Sequence, residues 1–253
     1  MNLIKTYTHS ISFKLLFLLC ILSVNSLIKA AEIPVIAAAS SIKFALNDIQ
    51  KAFHQDTGKN IRISYGASGN LSRQIKQGAP FELFLSANND YVKQLYQQQR
   101  TPDTGISYAL GRIVLIAKKN TSIPLDNQLN GVKKTIKSKQ LKHFAIANPI
   151  HAPYGLAARE ILQHLDLWTL VKPHLVLGEN VAQATQFVSS GGAQVGLTSY
   201  SLALSSALKG STQSLLIPTD WHKPLKQTAV LLNGAGETAK LFYTYLQQNK
   251  AQQ

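Results

Sequence analysis

The sequence has 253 residues, of which 26 are lysine or arginine and 12 are aspartate or glutamate, so the formal net charge is +14. Most of the basic residues are scattered, which disfavours a nucleic-acid surface, and a single cysteine excludes a disulfide within the chain. The one basic cluster is more typical of a solvated face than of a binding site. It comprises Lys133, Lys134, Lys137, Lys139 and Lys142.

The N-terminal residues have the organisation of a secretory signal peptide. Lys5 and Lys14 precede an apolar run at 15–22, and small residues follow it before the first predicted strand. The run is too short to span a bilayer. We therefore predict an exported protein in which residues 1–30 are the signal peptide; a retained anchor and a lipid anchor on Cys20 are the alternatives.

Short apolar strands alternate with stretches of helical periodicity along the rest of the chain. In the first half we predict strands at 33–39, 60–66 and 81–87, helices at 41–58, 70–78 and 89–98, and one long strand at 106–119 with Gly111 in its middle. Gly58 is predicted to end the first helix, because glycine is the preferred residue just after a helix.

The second half continues the alternation. We predict strands at 142–148, 174–179, 193–200 and 226–233, and helices within 148–165, at 180–192, from 200 to about Lys209, and at 236–248. Strands that alternate with helices predict an α/β fold with mainly parallel sheets covered by helices on both faces.

A chain of this length can form one domain or two lobes. Two long strands are the candidates for crossing between lobes, at 107–117 and 226–232. We therefore predict a discontinuous first lobe, 32–110 with 229–253, and a second lobe at 111–228.

Four strand-to-helix turns share one character. Each offers small residues, hydroxyls, glycine or proline, and their sequences are AAASSIK, SYGASGNL, NPIHAPYGL and LGENVAQ. Helix N-termini present free backbone N–H groups and a partial positive charge, so converging turns could hold a small oxyanion with neutral donors. Alternatively, Ser40, Ser68 and Asn180 are ordinary N-caps. Spacing leaves both interpretations open.

The same turns carry a resemblance to a known family. The segments AAASS, YGASGNLSRQIKQGAPFELFLSA, YALGRIVLIAKK, AIANPIHAPYGLAAREIL and GENVAQA occur in this order. They resemble the periplasmic molybdate-binding proteins of ABC transporters, the ModA family, from about Ile33 to Tyr245. The tyrosine before glycine in NPIHAPYG is similar to one branch of that family.

The resemblance implies a two-lobed periplasmic binding protein fold of the second type, with two crossing strands. It implies a periplasmic, monomeric protein that holds molybdate or tungstate between its lobes and delivers it to an ABC permease. No cofactor and no enzymatic activity are implied, and molybdenum would be bound only as the oxyanion. Family members usually continue with one more helix, so we expect the first lobe to lack its last packing element.

The resemblance also implies which residues bind the oxyanion. Serine hydroxyls and backbone N–H groups would be the donors, at Ser40, Ser41, Ser68, Tyr154 and Val181. Some family members use a tyrosine hydroxyl from the strand that reads VGLTSYS here. The equivalent position is Ser199, and Tyr200 comes one residue later, so both are doubtful ligands: a shift of one residue turns a strand side chain to the other face.

Three other functions are weighed against this one. A carrier for another oxyanion such as sulfate is the nearest alternative. A hydrolase is disfavoured because GASG is one residue short of a GxSxG motif, and because His151 and His164 belong to no metal-ligand motif. A carrier of metal cations would need clustered carboxylates or histidines, which the four turns lack.

Overall fold

The computed structural model describes residues 33–248, which form two five-stranded sheets flanked by helices. The strands are β1 Val35–Ala39, β2 Arg62–Gly66, β3 Phe81–Ser86, β4 Ile106–Gly111, β5 Ile113–Lys118, β6 Phe144–Ala147, β7 Leu175–Gly178, β8 Val195–Ser199, β9 Thr212–Leu216 and β10 Leu225–Leu231. The predicted signal peptide lies outside the described residues.

Helices connect most of these strands. They are α1 Lys43–Thr57, α2 Ser68–Lys76, α3 Asn89–Gln97, α4 Asn130–Lys137, α5 Pro153–His164, α6 Trp168–Val171, α7 Val181–Ser190, α8 Tyr200–Ala203, α9 Ser206–Lys209 and α10 Glu237–Tyr245. Short 3-10 turns lie at Ser40–Ile42, Lys172–His174 and Thr219–Trp221. Within residues 33–248, no helix combines the length and hydropathy that crossing a membrane requires.

Four strands of each sheet run in one direction and the fifth runs against them. The first sheet has the order β2-β1-β3-β10-β4, with β10 antiparallel to both of its neighbours. The second has the order β7-β6-β8-β5-β9, with β5 in the antiparallel position. The predicted α/β architecture is confirmed. In each sheet, however, the reversed strand pairs antiparallel with both of its neighbours.

The chain passes from the first sheet to the second at Arg112. The single long strand predicted at 106–119 is wrong in this respect, because β4 ends at Gly111 and β5 begins at Ile113 in the other sheet. The chain returns through 217–224, between β9 and β10. Strand-forming residues on both sides of Gly111 and Arg112 concealed the break, since both halves are strands.

We name the first sheet with α1, α2, α3 and α10 lobe I, and the second sheet with α4 to α9 lobe II. The predicted boundary between 228 and 229 falls inside β10, which pairs with β4 in lobe I from Leu225 onward. We therefore propose that lobe I resumes at Leu225 and that 217–224 is the second connection. The outer limits of the predicted lobes stay predictions.

Apolar packing differs between the lobes and the region where they meet. Lobe I has its own core, in which the rings of Phe53 and Phe242 pack edge to face with centroids 5.0 Å apart. A second cluster spans both lobes, because Ala39 and Ala67 of lobe I pack with the lobe II residue Val181. Small side chains at this junction let the turns of the two lobes approach closely.

Three elements of lobe II were not predicted: the strand β9, the helix α4 and the four-residue helix α6. The strand β9 is an edge strand with mostly exposed side chains, so it lacks the apolar run of a central strand. The helix α4 buries little more than Val132, and the Asp126 carboxylate accepts hydrogen bonds from the backbone N–H groups of Asn130 and Gly131 at its start. The helix predicted from 200 to Lys209 is in fact two four-residue helices, α8 and α9.

Candidate functional site

The four strand-to-helix turns meet at one small cavity between the lobes. Its volume is about 10 Å³, and it is lined by Ala39, Ser40, Ser41, Gly66, Ala67, Ser68, Ala87, Ala152, Pro153, Tyr154 and Val181. All five residues predicted to bind an oxyanion are in this set. None of the lining residues has an ionised side chain at neutral pH, so the polar groups that face the cavity are hydroxyls and backbone groups.

Helix geometry explains why backbone donors gather here. Ser68 and Val181 are the first residues of α2 and α7, Tyr154 is the second residue of α5, and Ser40 begins a 3-10 turn. The N–H groups at the start of a helix have no acceptor within the helix, and they carry its partial positive charge. Pro153 favours this start for α5, because proline has no N–H to satisfy at the first position.

The serines of the cavity are not N-caps. The cap positions before Ser40 and Ser68 are Ala39 and Ala67, and no side chain caps either element. The N-cap interpretation is therefore wrong for both serines, although it holds for Asn180, whose side chain accepts N–H groups of α7. The serine hydroxyls are free for other contacts.

Each of the three hydroxyls can still donate its proton. Ser68 Oγ accepts from the backbone N–H of Ala87 at 2.9 Å, and Ser40 Oγ accepts from that of Ala182 in lobe II at 3.3 Å. Ser41 Oγ is buried and makes no hydrogen bond of acceptable geometry to any residue in the described range. A buried polar atom without a partner calls for an explanation, and a ligand in the cavity is one.

Ser199 and Tyr200 lie away from the cavity. Ser199 ends β8, where its Oγ accepts from the backbone N–H of Leu202 at 3.4 Å and from Ser201 Oγ at 3.3 Å. Tyr200 begins α8 rather than continuing the strand, and it packs against a lobe II cluster that includes Val114. Neither residue lines the cavity.

The side chain of Tyr154 extends from the cavity toward the crossing strands. Its hydroxyl accepts from Gln227 Nε2 on β10 at 3.3 Å. Burial raises the pKa of this hydroxyl well above its usual range, and the neighbouring Ser41 hydroxyl offsets part of that rise. Tyr154 therefore stays neutral and joins lobe II to lobe I.

Hydrogen bonds between the lobes surround the cavity. Gly69 N–H of lobe I donates to the carbonyl oxygen of His151 in lobe II at 3.0 Å, and the Asn70 amide donates to the Glu179 carboxylate. His151 Nε2 lies 2.9 Å from the Glu179 carbonyl oxygen and 3.3 Å from its carboxylate. Local sequence patterns do not reveal these contacts, because the two residues of each pair are far apart in the chain.

A larger cleft of about 630 Å³ adjoins the small cavity and shares Ser40 with it. Most of its other lining residues come from α1, from α7 and from the turn before α7, among them Lys43, Glu179 and Gln186. Across residues 33–248, histidine, cysteine, aspartate and glutamate side chains form no group of three suited to a metal ion.

Comparison with known proteins places the chain in a family. The profile of the family described as "Bacterial extracellular solute-binding protein" matches residues 34–253. The molybdate-binding protein ModA of Rhodobacter capsulatus is 35% identical over 225 residues, covering 88% of this chain and 85% of the relative. The ModA of Azotobacter vinelandii is 34% identical over 226 residues, covering 88% and 87%.

A solved structure gives the same result. The Azotobacter vinelandii periplasmic molybdate-binding protein superimposes with a TM-score of 0.77 at 29% identity, covering 86% of this chain and 94% of that one. This likeness confirms the two-lobed fold expected from the sequence. The chain belongs to the bacterial extracellular solute-binding proteins and, among them, to the ModA family.

Proposed function

We propose that this protein is a periplasmic substrate-binding protein of an ABC transporter that captures molybdate, or tungstate, between its lobes. The observation that carries the proposal is the cavity itself, where backbone N–H groups at four helix or turn starts and three buried serines converge without any charged side chain. Relatives at 34–35% identity named as molybdate-binding proteins support the choice of ligand.

The donors have distinct roles in this proposal. Ser40, Ser41 and Ser68 supply hydroxyl and backbone N–H donors, and Tyr154 and Val181 supply backbone N–H donors only. Hydrogen bonds to a charged ligand contribute roughly 1.5–3 kcal/mol each. Six or seven of them offset the cost of removing a dianion from water, which leaves a surplus for binding after association is accounted for.

A site that contains only donors selects among oxyanions. Hydrogen phosphate carries a proton, and the cavity has no carboxylate or imidazole to accept it, so it is disfavoured against a fully deprotonated dianion. Sulfate is smaller than molybdate and would reach fewer donors at good distance. Molybdate and tungstate have nearly equal sizes, and we expect both to bind.

The cavity must widen when the anion enters. A volume of about 10 Å³ is the room that roughly one water molecule needs, and a tetrahedral oxyanion is larger. The cavity walls belong to both lobes, so a small outward movement of one lobe enlarges the site. Opening would admit the anion, and reclosure would present a ligand-bound surface to the membrane permease.

In this proposal the residues that line the cavity catalyse no reaction. The cavity holds no histidine or carboxylate beside its serines that could act as a general base. The protein is then a carrier without catalytic function or cofactor, and molybdenum contacts it only through the oxygens of the anion. Export would use residues 1–30 as the signal peptide, and the carrier would act as a monomer.

Calorimetry on the protein without its signal peptide tests this function. We expect tight one-to-one binding of molybdate and of tungstate, with sulfate and phosphate competing poorly at millimolar concentration. A thermal-shift series with the same anions should raise the melting temperature only for the binding anions, because ligands stabilise by mass action. Effective competition by sulfate would redirect the assignment to a sulfate carrier, and no binding of any of the four would refute an oxyanion site.

A further inference from the structure

The side chain of Tyr154 reaches from the cavity wall to β4 and β10, the lobe I strands next to the two connections between the lobes. Its backbone N–H is at the start of α5 in lobe II, whereas its hydroxyl contacts β10 and β4 of lobe I. The residue is only 3% exposed. A single buried side chain thus connects a proposed ligand donor with the strands that join the lobes.

Gln227 fixes the direction of hydrogen bonding in this connection. Its Oε1 accepts from the hydroxyl of Tyr108 at 3.1 Å, so its Nε2 is left to donate to the hydroxyl of Tyr154 at 3.3 Å. The Tyr154 hydroxyl is therefore the acceptor in this bond, which ties the second residue of α5 in lobe II to β10 in lobe I.

Gly111 shows how closely lobe I surrounds the tyrosine. A Cβ at this position would lie 2.5 Å from the Tyr154 hydroxyl oxygen and 2.9 Å from Leu225 Cβ. Real Cβ atoms do not approach other heavy atoms this closely, so a side chain at 111 would displace the tyrosine or the strand. Close packing at Gly111 in β4 therefore restricts the position of the Tyr154 hydroxyl.

We propose that Tyr154 and Gln227 are positioning residues for the oxyanion site. The hydrogen-bonded series from Tyr108 through Gln227 to Tyr154 holds the start of α5, and with it the Tyr154 backbone N–H, at a fixed place relative to β4 and β10. Neither side chain needs to touch the anion. The inference rests on the proposed function, because its readout is oxyanion binding.

The test compares three variants by molybdate calorimetry: Tyr154→Phe, Gln227→Met and the double variant. We expect each single variant to weaken affinity by about tenfold, the scale of one buried hydrogen bond. The double variant should lose little more than either single one, since both remove the same series. Tyr65→Phe is the matched control: it also removes a hydroxyl bonded to an amide side chain, Asn47, but within lobe I, and its affinity should be unchanged.

The outcomes separate the two proposals. If the unaltered protein fails to bind molybdate, the proposed function fails. If the unaltered protein binds and Tyr154→Phe binds equally well, the positioning role is overturned. Losses that add fully in the double variant would also overturn it, because independent sites add. A purely structural role would lower the melting temperature of the variants while leaving the affinity of the folded fraction unchanged.

Discussion

Ser40 and Ser68 are the first residues of their elements rather than the N-cap residues before them. This position determines which hydrogen bonds their hydroxyls can make. A serine at the N-cap uses its oxygen to accept an N–H of its own helix. Here the caps are alanines, and the serine oxygens accept from other segments instead. The sequence predicts serines at the starts of helices, but it does not distinguish the cap from the next position.

Ser68 and Ser72 form a matched pair for testing the site. Both are buried on α2, and only Ser68 lines the cavity. We expect Ser68→Ala to weaken molybdate binding about tenfold and Ser68→Asp to abolish it, because a carboxylate would face the dianion. Ser72→Ala should leave affinity unchanged. Titration calorimetry decides, and equal affinities for Ser68→Asp and the unaltered protein would exclude Ser68 from the site.

Ser41 should give opposite effects on stability and on binding. Its buried oxygen has no hydrogen-bond partner of acceptable geometry in the described structure, and such an atom costs about 1–3 kcal/mol. Ser41→Ala should therefore leave the free energy of unfolding unchanged or raise it, while weakening molybdate binding. Denaturant unfolding without ligand, paired with calorimetry, measures both. Unchanged affinity together with raised stability would mean that the hydroxyl serves no ligand.

At the scale of elements, periodicity predicted most of the helices and strands because they are amphipathic or fully buried. Gly58 ends α1 as predicted, with φ of 67°, a conformation that favours glycine. The sequence predicted a crossing within 107–117 but not the break at Arg112, since the period of a strand does not reveal where the chain passes from one sheet to another. The sequence indicated that the four turns converge only because their compositions are similar. The fold shows that residues from all four line one cavity.

The start of α2 also bears on lobe closure. A Cβ on Gly69 would lie 2.6 Å from the carbonyl oxygen of His151, so Gly69→Ala would hold the lobes slightly apart. We expect molybdate affinity to fall by roughly threefold to tenfold, mostly through faster release. Denaturant unfolding without ligand measures any general cost of the substitution, since the same Cβ would lie 2.8 Å from the Tyr91 hydroxyl oxygen within lobe I.

Gly210→Ala is the control for that variant. Nothing lies within 4 Å of a Cβ built at Gly210, and its backbone is right-handed, with φ of −86°. Stopped-flow measurement of association and dissociation should separate the two variants. Identical dissociation rates for Gly69→Ala and the unaltered protein would show that the Gly69–His151 contact does not contribute to closure.

For the whole molecule, buried tyrosines predict how stability depends on pH. Burial raises the pKa of both Tyr108 and Tyr154 above the ordinary value of about 10. Each hydroxyl keeps its proton in the folded protein after the unfolded chain has lost it. Their contribution to stability is thus complete below about pH 10 and declines above it, by up to about 1.4 kcal/mol per pH unit for each tyrosine.

Denaturant unfolding at pH 8 and at pH 11 measures this decline, and Tyr154→Phe should reduce it. Absorbance at 295 nm reports tyrosine ionisation in the folded protein. If every tyrosine ionised near pH 10 before unfolding, the protection of Tyr108 and Tyr154 by burial would be contradicted. The neutral range, where molybdate binding is measured, should show no contribution from these groups.

The connection through Arg112 is one residue long, and that length fixes how the chain can be altered. Side chains of β5 alternate between two apolar clusters, with Ile113 and Leu115 on one face and Val114 and Ile116 on the other. An inserted residue at this junction would exchange the faces and misplace Gly111 against Tyr154. The return segment, 217–224, is longer, and between its buried residues Ile217 and His222 it has the exposed residues Thr219 and Asp220. Circular permutants or inserted reporter domains therefore belong there, and the first crossing is the place where neither insertion nor deletion should be tolerated.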